Sequence, residues 1–186
     1  NSTTADAIVV VNDGNVVASG SGYYDGIRLF CNSTTKENSV TVNGGKVSSI
    51  WMQNPSGSNS KDVVGSVTIT DGEVTGLYLE PSAAFDAEIT AGAIGVVEFF
   101  ETAENRDITK FISGGTFKVE IQKAWCAEGY EPVSYGGGVY GVKEIAPTPT
   151  PTPTPEVKDP IAVNEETGKV YADLMEALME AVPGQT

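Results

Sequence analysis

The strongest constraint on this chain is a glycine that recurs inside a short apolar frame. Five copies align on it: "VVVNDGNV" (9–16), "VTVNGGKV" (40–47), "VTITDGEV" (67–74), "AEITAGAI" (87–94) and "KFISGGTF" (110–117). The glycines are Gly14, Gly45, Gly72, Gly92 and Gly115, spaced by 31, 27, 20 and 23 residues. Spacings in this range, uneven where loops differ in length, are those of stacked repeats. An apolar residue stands three before each glycine (Val11, Val42, Ile69, Ile89, Ile112) and another two after it (Val16, Val47, Val74, Ile94, Phe117). The period between them is that of a strand, and a glycine there lets the backbone turn at positive φ without a Cβ clash.

Each copy continues into a second apolar-alternating segment: "GIRLF" (26–30), "SIWMQ" (49–53), "GLYLE" (76–80), "GVVEFF" (95–100) and "KVEIQ" (118–122). One such strand pair cannot bury its apolar face alone. Stacked at about 4.8 Å, equivalent strands bond to one another and the inward residues join into one core. The pattern therefore predicts an all-β fold, a right-handed parallel β-helix of about five coils over residues 7 to 122. The long period and the absence of a six-residue repeat favour the right hand. An antiparallel sandwich of short strands is the alternative, and it does not require the glycines to align. Asn12, Asn43, Thr70, Thr90 and Ser113, two before each glycine, would form a hydrogen-bonded ladder along one corner.

Composition narrows the function. With 25 acidic and 11 basic residues the net charge is −14, which repels nucleic acid and anionic membrane surfaces. There is no histidine, the most frequent general base near neutral pH and a common metal ligand. No apolar run approaches the roughly 20 residues of a membrane span, so no membrane insertion is expected. Asn1 is not an initiator methionine and no signal core follows it; we expect a mature form or a piece of something longer. Cys31 and Cys126 belong to the first copies and to the terminal segment. Several strand spacings separate them, beyond the roughly 7 Å Cα reach of a disulfide, and they are expected to be unbonded.

From Ile112 to Val142 the pattern changes. After "SGGTF" come "KAWCAEGY" and two apolar runs, "PVSY" and "VYGV", around a triple glycine, which signals a hairpin. A stack of strands ends in an open edge, so a cap is expected there, with Trp125, Cys126 and Tyr130 as its plug. The order "SGGTF", "CAEGY", "GGGVYGV" resembles the closing segment of β-helical modules in large surface proteins of gut Gram-positive bacteria. The resemblance covers residues 110–142, although a threonine is more usual before the tyrosine of "GGGVYGV". It implies an extracellular, multi-modular, adhesin-like protein, secreted or attached to the cell surface, and it carries no catalytic residues.

The expected organisation is a β-helix with its cap over 1–145, a Pro-Thr linker over 146–156 and the start of a second module over 157–186. The tract "PTPTPTPTP" (147–155) is expected to be an extended polyproline II spacer, roughly 28 Å long at about 3.1 Å per residue. In the last segment 161–163 and 169–171 flank a turn at "NEETG", and Leu174, Ala177, Leu178, Ala181 and Val182 share one helix face. This resembles the entry of another β-helix module, with "P-G-x-T" leading into its first strand; a free-standing amphipathic tail is the alternative.

Two classes of function are weighed. In the first, the protein is a non-catalytic structural and adhesive module that needs no cofactor. The central residues of successive second strands, Arg28, Trp51, Tyr78 and Glu98, face outward in one row, and Tyr23 and Tyr24 would extend it. Exposed aromatics among polar groups suit a glycan or a host or bacterial surface protein. The same row also reads as aromatic and cation–π stacking that steadies the sheet. The second class is a polysaccharide lyase or glycoside hydrolase. It needs paired carboxylates roughly 5 to 9.5 Å apart or an acidic calcium site with a basic residue. The nearest approach is Asp71, Glu73 and Lys46, and Glu73 with Lys46 reads as a cross-strand ion pair. The adhesive reading is the expected one, and further modules of the same chain are its expected neighbours. The loops at 23–25 and 55–62 are the next candidates for ligand contact.

Overall fold

A computed structural model describes residues 6–17, 26–31, 34–53, 64–80, 84–100, 108–146 and 161–184. The chain divides into two units, Asn1–Ala146 and Pro147–Thr186. The expected spacer at 147–155, the "P-G-x-T" ending and the loops at 23–25 and 55–62 fall at least partly outside the described residues.

The first unit is mostly β. Its strands are β1 (Ala7–Val11), β2 (Asn15–Val16), β3 (Ile27–Phe30), β4 (Asn38–Gln53), β5 (Val64–Leu79), β6 (Ala84–Ile89), β7 (Ala93–Phe99), β8 (Thr116–Phe117), β9 (Tyr130–Gly136) and β10 (Val139–Glu144). They form one large mixed sheet whose main path runs β1-β4-β5-β7-β8-β10-β9. Every pairing among β1 to β8 is parallel and follows the sequence repeat. Val11 pairs with Val42, Val42 with Ile69 and Ile69 with Ile89, and a parallel bridge joins Ile89 to Ile112. Behind the glycines, Val16, Val47, Val74, Ile94 and Phe117 lie in a second register line. Neighbouring copies pair parallel, not antiparallel as a sandwich requires.

All five repeat glycines sit at positive φ, between 76° and 95°. They also lie against one another: a Cβ on Gly45 would stand 2.4 Å from the Gly14 carbonyl oxygen, and one on Gly92 would stand 2.9 Å from that of Gly72. The residue type is therefore demanded twice, by conformation and by the closeness of the next copy. The polar ladder forms beside this line. Asn43 Nδ2 donates to Asn12 Oδ1 at 2.9 Å and Thr70 Oγ1 to Asn43 Oδ1 at 2.8 Å. At Thr90 and Ser113 backbone N–H groups carry the line on, donating to Ile69 O and Ile89 O.

The inward residues form one buried cluster, including Val42, Val47, Ile50, Met52, Ile69, Val74, Leu77, Leu79, Ile89, Ile94, Ile112 and Phe117. Val16 is only partly buried, and among the described residues its strand has a neighbour on one side alone. One expected strand is absent: Lys118–Gln122 is not a strand but leads into a 3₁₀ turn, Lys123–Trp125. Nothing repeats above the fifth copy, and its edge is taken by β10, which pairs antiparallel with β8 and with β9. Trp125 packs with Phe99 and Phe111 at ring distances of 5.4 and 6.1 Å, and Cys126 bridges to Ile112. The cap thus satisfies the edge and covers the last core layer. Cys31 and Cys126 are both buried thiols that are not joined, and burial pushes the Cys31 thiol up to about 12.

The second unit is a two-residue hairpin, β11 (Ala162–Val163) with β12 (Val170–Tyr171), followed by α1 (Leu174–Glu180). Asn164 Oδ1 accepts from the N–H groups of Glu166 and Thr167 and so shapes the turn. Asp173 caps the helix by accepting from Met175 N at 2.7 Å. The helix ends earlier than the apolar spacing suggests, leaving Ala181 as its C-cap and Val182 beyond it. No helix among the described residues is long and apolar enough to cross a membrane.

Glu180 ties the helix to the hairpin by accepting from Lys169 Nζ and from Tyr171 Oη. The hydrogen bond from Lys169 holds the Glu180 carboxyl below its ordinary value of 4.5, and the same bond holds Lys169 above 10.5. A depressed carboxylate stabilises above its unfolded pKa and loses that contribution as pH falls through its folded one; a raised ammonium stabilises below its unfolded pKa and loses it above. The hairpin–helix contact should therefore hold between about pH 5 and 10 and loosen first on acidification below about 4.5. NMR shifts of Tyr171 and Leu178 followed from pH 7 to 3 check this. Shifts unchanged through that range in the full chain, and identical in Glu180→Gln, would refute it.

Candidate functional site

The second strands alternate inward and outward, and that alternation places the candidate row. Ile50 and Met52 are fully buried in the core, as are Leu77 and Leu79, which turns Trp51 and Tyr78 to the other face. The register brings the four residues into line: Arg28 pairs with Trp51, Trp51 with Tyr78 and Tyr78 with Glu98. Tyr23 and Tyr24 lie outside the described residues.

The row is not an open aromatic platform, and the expected exposure of Trp51 is corrected here. Trp51 is 8% exposed. Arg28 covers its ring, with the guanidinium carbon 4.5 Å from the centroid, and Phe100 packs at 5.8 Å. Its indole Nε1–H donates to Glu80 Oε1 at 3.0 Å, in buried surroundings. Tyr78 is half-buried and stacks on Phe100 at 5.9 Å and 24°. Arg28 is itself held, with Nε donating to Gln53 Oε1 at 2.9 Å and Nη2 donating to the same oxygen.

Three of these partners, Gln53, Glu80 and Phe100, were not among the residues expected at the site. Their positions were available in the sequence. They stand two residues after Trp51, Tyr78 and Glu98, so strand alternation puts them on the same face as a second row. What hid them was their place at the strand ends, where the periodic pattern runs out.

Chemically, Trp51 acts as scaffold and the accessible groups are the exposed Arg28 with the half-buried Tyr78 and Glu98. A guanidinium, a phenol and a carboxylate in one row can offer directional hydrogen bonds to a hydroxyl-rich ligand. Elsewhere, Lys46 Nζ binds Glu73 Oε1 at 2.8 Å, both about half exposed, as expected of a cross-strand ion pair. Asp71 Oδ1 accepts from Gly72 N at 2.7 Å, which gives it a turn-capping role. Among the described residues no group of three or more Cys, Asp or Glu is placed to hold a metal ion. The chain matches no family model, no curated protein and no solved structure.

The Trp51–Glu80 bond is testable by itself. Trp51→Phe keeps a ring but removes the indole donor to the Glu80 carboxylate, a hydrogen bond to a charged group worth about 1.5–3 kcal/mol. Urea unfolding should show a lower midpoint for Trp51→Phe than for Val133→Ala in the half-buried cap hairpin. A Trp51→Phe midpoint equal to wild type would show that the indole bond does not matter.

Proposed function

We propose that the first unit is a right-handed parallel β-helix and that it works as a non-catalytic adhesive module of a secreted or cell-surface bacterial protein. Its ligand is a glycan, or a glycan-bearing host or bacterial surface protein. The observation that carries the reading is the row Arg28–Trp51–Tyr78–Glu98, held in register on the face opposite the core and fixed by Arg28, Phe100 and Glu80 around Trp51. A preorganised row at about 4.8 Å spacing presents polar groups at a low ordering cost, which favours recognition. Trp51 contributes by rigidity, and Arg28, Tyr78 and Glu98 make the contacts.

A glycan-array screen, run beside an assay for reducing-end or unsaturated products, tests this. The double variant Arg28→Ala, Tyr78→Ala should lose about ten-fold or more in affinity for any glycan found while its far-UV circular dichroism stays unchanged. Full binding by that variant would move the ligand site away from the row. Release of cleaved sugar would replace the adhesive reading by a lyase or glycoside hydrolase.

A further inference from the structure

The two ends of the parallel sheet are treated differently. At the fifth copy the hairpin of β9 and β10 covers the edge, but at the first copy β1 pairs only with β4 among the described residues. Ala7 N donates to Glu37 O at 2.8 Å, and this sets the alternation along β1. In a parallel ladder the N–H and C=O of one residue point to the same neighbour and those of the next point away. Ala7, Val9 and Val11 therefore bond β4, while the backbone groups of Ile8 and Val10 face the open side. No described group meets them there. The side chains of these two residues are also bare, Ile8 at 57% and Val10 at 51% exposed. An uncharged edge of this kind, with bare apolar side chains, is a template for another strand.

We propose that the open edge of β1 pairs antiparallel with β1 of a second copy of this chain, about a two-fold axis at Val9. The strand is self-complementary in that register. Ile8 falls opposite Val10 of the second copy and Val10 opposite its Ile8, and both are residues whose backbone groups point outward. The two pairs exchange four N–H to C=O bonds, and Ile8 and Val10 cover each other on the outer face. Asp6 falls opposite Asn12 of the second copy, so no carboxylate of the strand or its flanks faces another. Because the contact is isologous, each copy uses its β1 edge once, and the contact closes at a dimer instead of growing into a fibre. Two features keep the dimer weak. The contact is smaller than the roughly 1,600 Å² of a standard interface, and two bodies of charge −14 repel.

Sedimentation velocity of the full chain, from about 10 µM to about 1 mM and in about 0.5 M NaCl to screen the charge, should show a monomer–dimer equilibrium that weakens as salt is lowered. Val10→Pro removes a donor used only across the contact, and proline is tolerated on an edge whose N–H faces solvent. It should weaken dimerisation about ten-fold or more with no change in circular dichroism, and Ile8→Lys should do the same while keeping every backbone group. Copies carrying Ile8→Cys mixed with copies carrying Val10→Cys should form a mixed disulfide under mild oxidation, faster than either alone. Opposed residues in that register lie about 5.5 Å apart, and the native thiols are buried. A monomer at every concentration overturns the proposal. So does a dimer that survives Ile8→Lys and gives no mixed disulfide.

Discussion

Ile69→Asp should unfold the first unit or cost at least about 4 kcal/mol, a large part of the 5–15 kcal/mol that holds a typical domain together. Ile69 is fully buried, and its register neighbours are Val42 on one side and Ile89 on the other, also fully buried. Neither register neighbour carries a cation or a side-chain donor that could pair with the new carboxylate. The adjacent Thr68 faces the other way, between Thr41 and Glu88, and is half-buried. Thr68→Asp should cost only about 0.5–1 kcal/mol, mostly from like charge opposite Glu88. Thermal melts of the two variants separate the cases. Equal melting temperatures would mean that the facing of β5 is wrong.

Gly72→Val should be strongly damaging within the glycine line, at about 3 kcal/mol or more. Gly72 has φ 95°, which a β-branched residue reaches only under strain of roughly 1–2 kcal/mol. Its new Cβ would also lie 2.9 Å from the backbone of Gly44 and Gly45 in the neighbouring copy, where nothing flexible can yield. Gly129 provides the control that divides the two terms. It too has positive φ, at 82°, but nothing lies within 4 Å of a Cβ placed there. Gly129→Val should therefore show the strain alone. If urea midpoints fall equally for Gly72→Val and Gly129→Val, the close stacking of the copies does not contribute.

Both expectations rest on a pattern that is legible in the sequence. Alternation within each copy and the alignment of the glycines set which residues point inward, which glycines turn and which copies pair. Local sterics and the period of a strand decide these matters, and both are written residue by residue. The cap hairpin was legible for the same reason, since a triple glycine between apolar runs has few other uses.

The end of the repeat and the character of the site were decided elsewhere. Val119 and Ile121 keep the apolar alternation of a fifth second strand, yet the parallel pairing with β7 stops at Phe117 and Lys118 N, and among the described residues no ladder joins 119–122 to it, while the antiparallel edge of β10 takes the place next to β8. Periodicity reports which side chains alternate but not whether a partner exists. Trp51 was placed on the correct face by the sequence, and its burial was not, because facing depends on its own neighbours in the chain while exposure depends on what other copies lay across it. Arg28, Glu80 and Phe100 come from three different copies, and only register and stacking bring them to one indole. By itself the sequence determined a parallel stack with one line of glycines and one outward row. Only the tertiary structure decided that the row is packed around a buried tryptophan, because that contact is made between strands tens of residues apart.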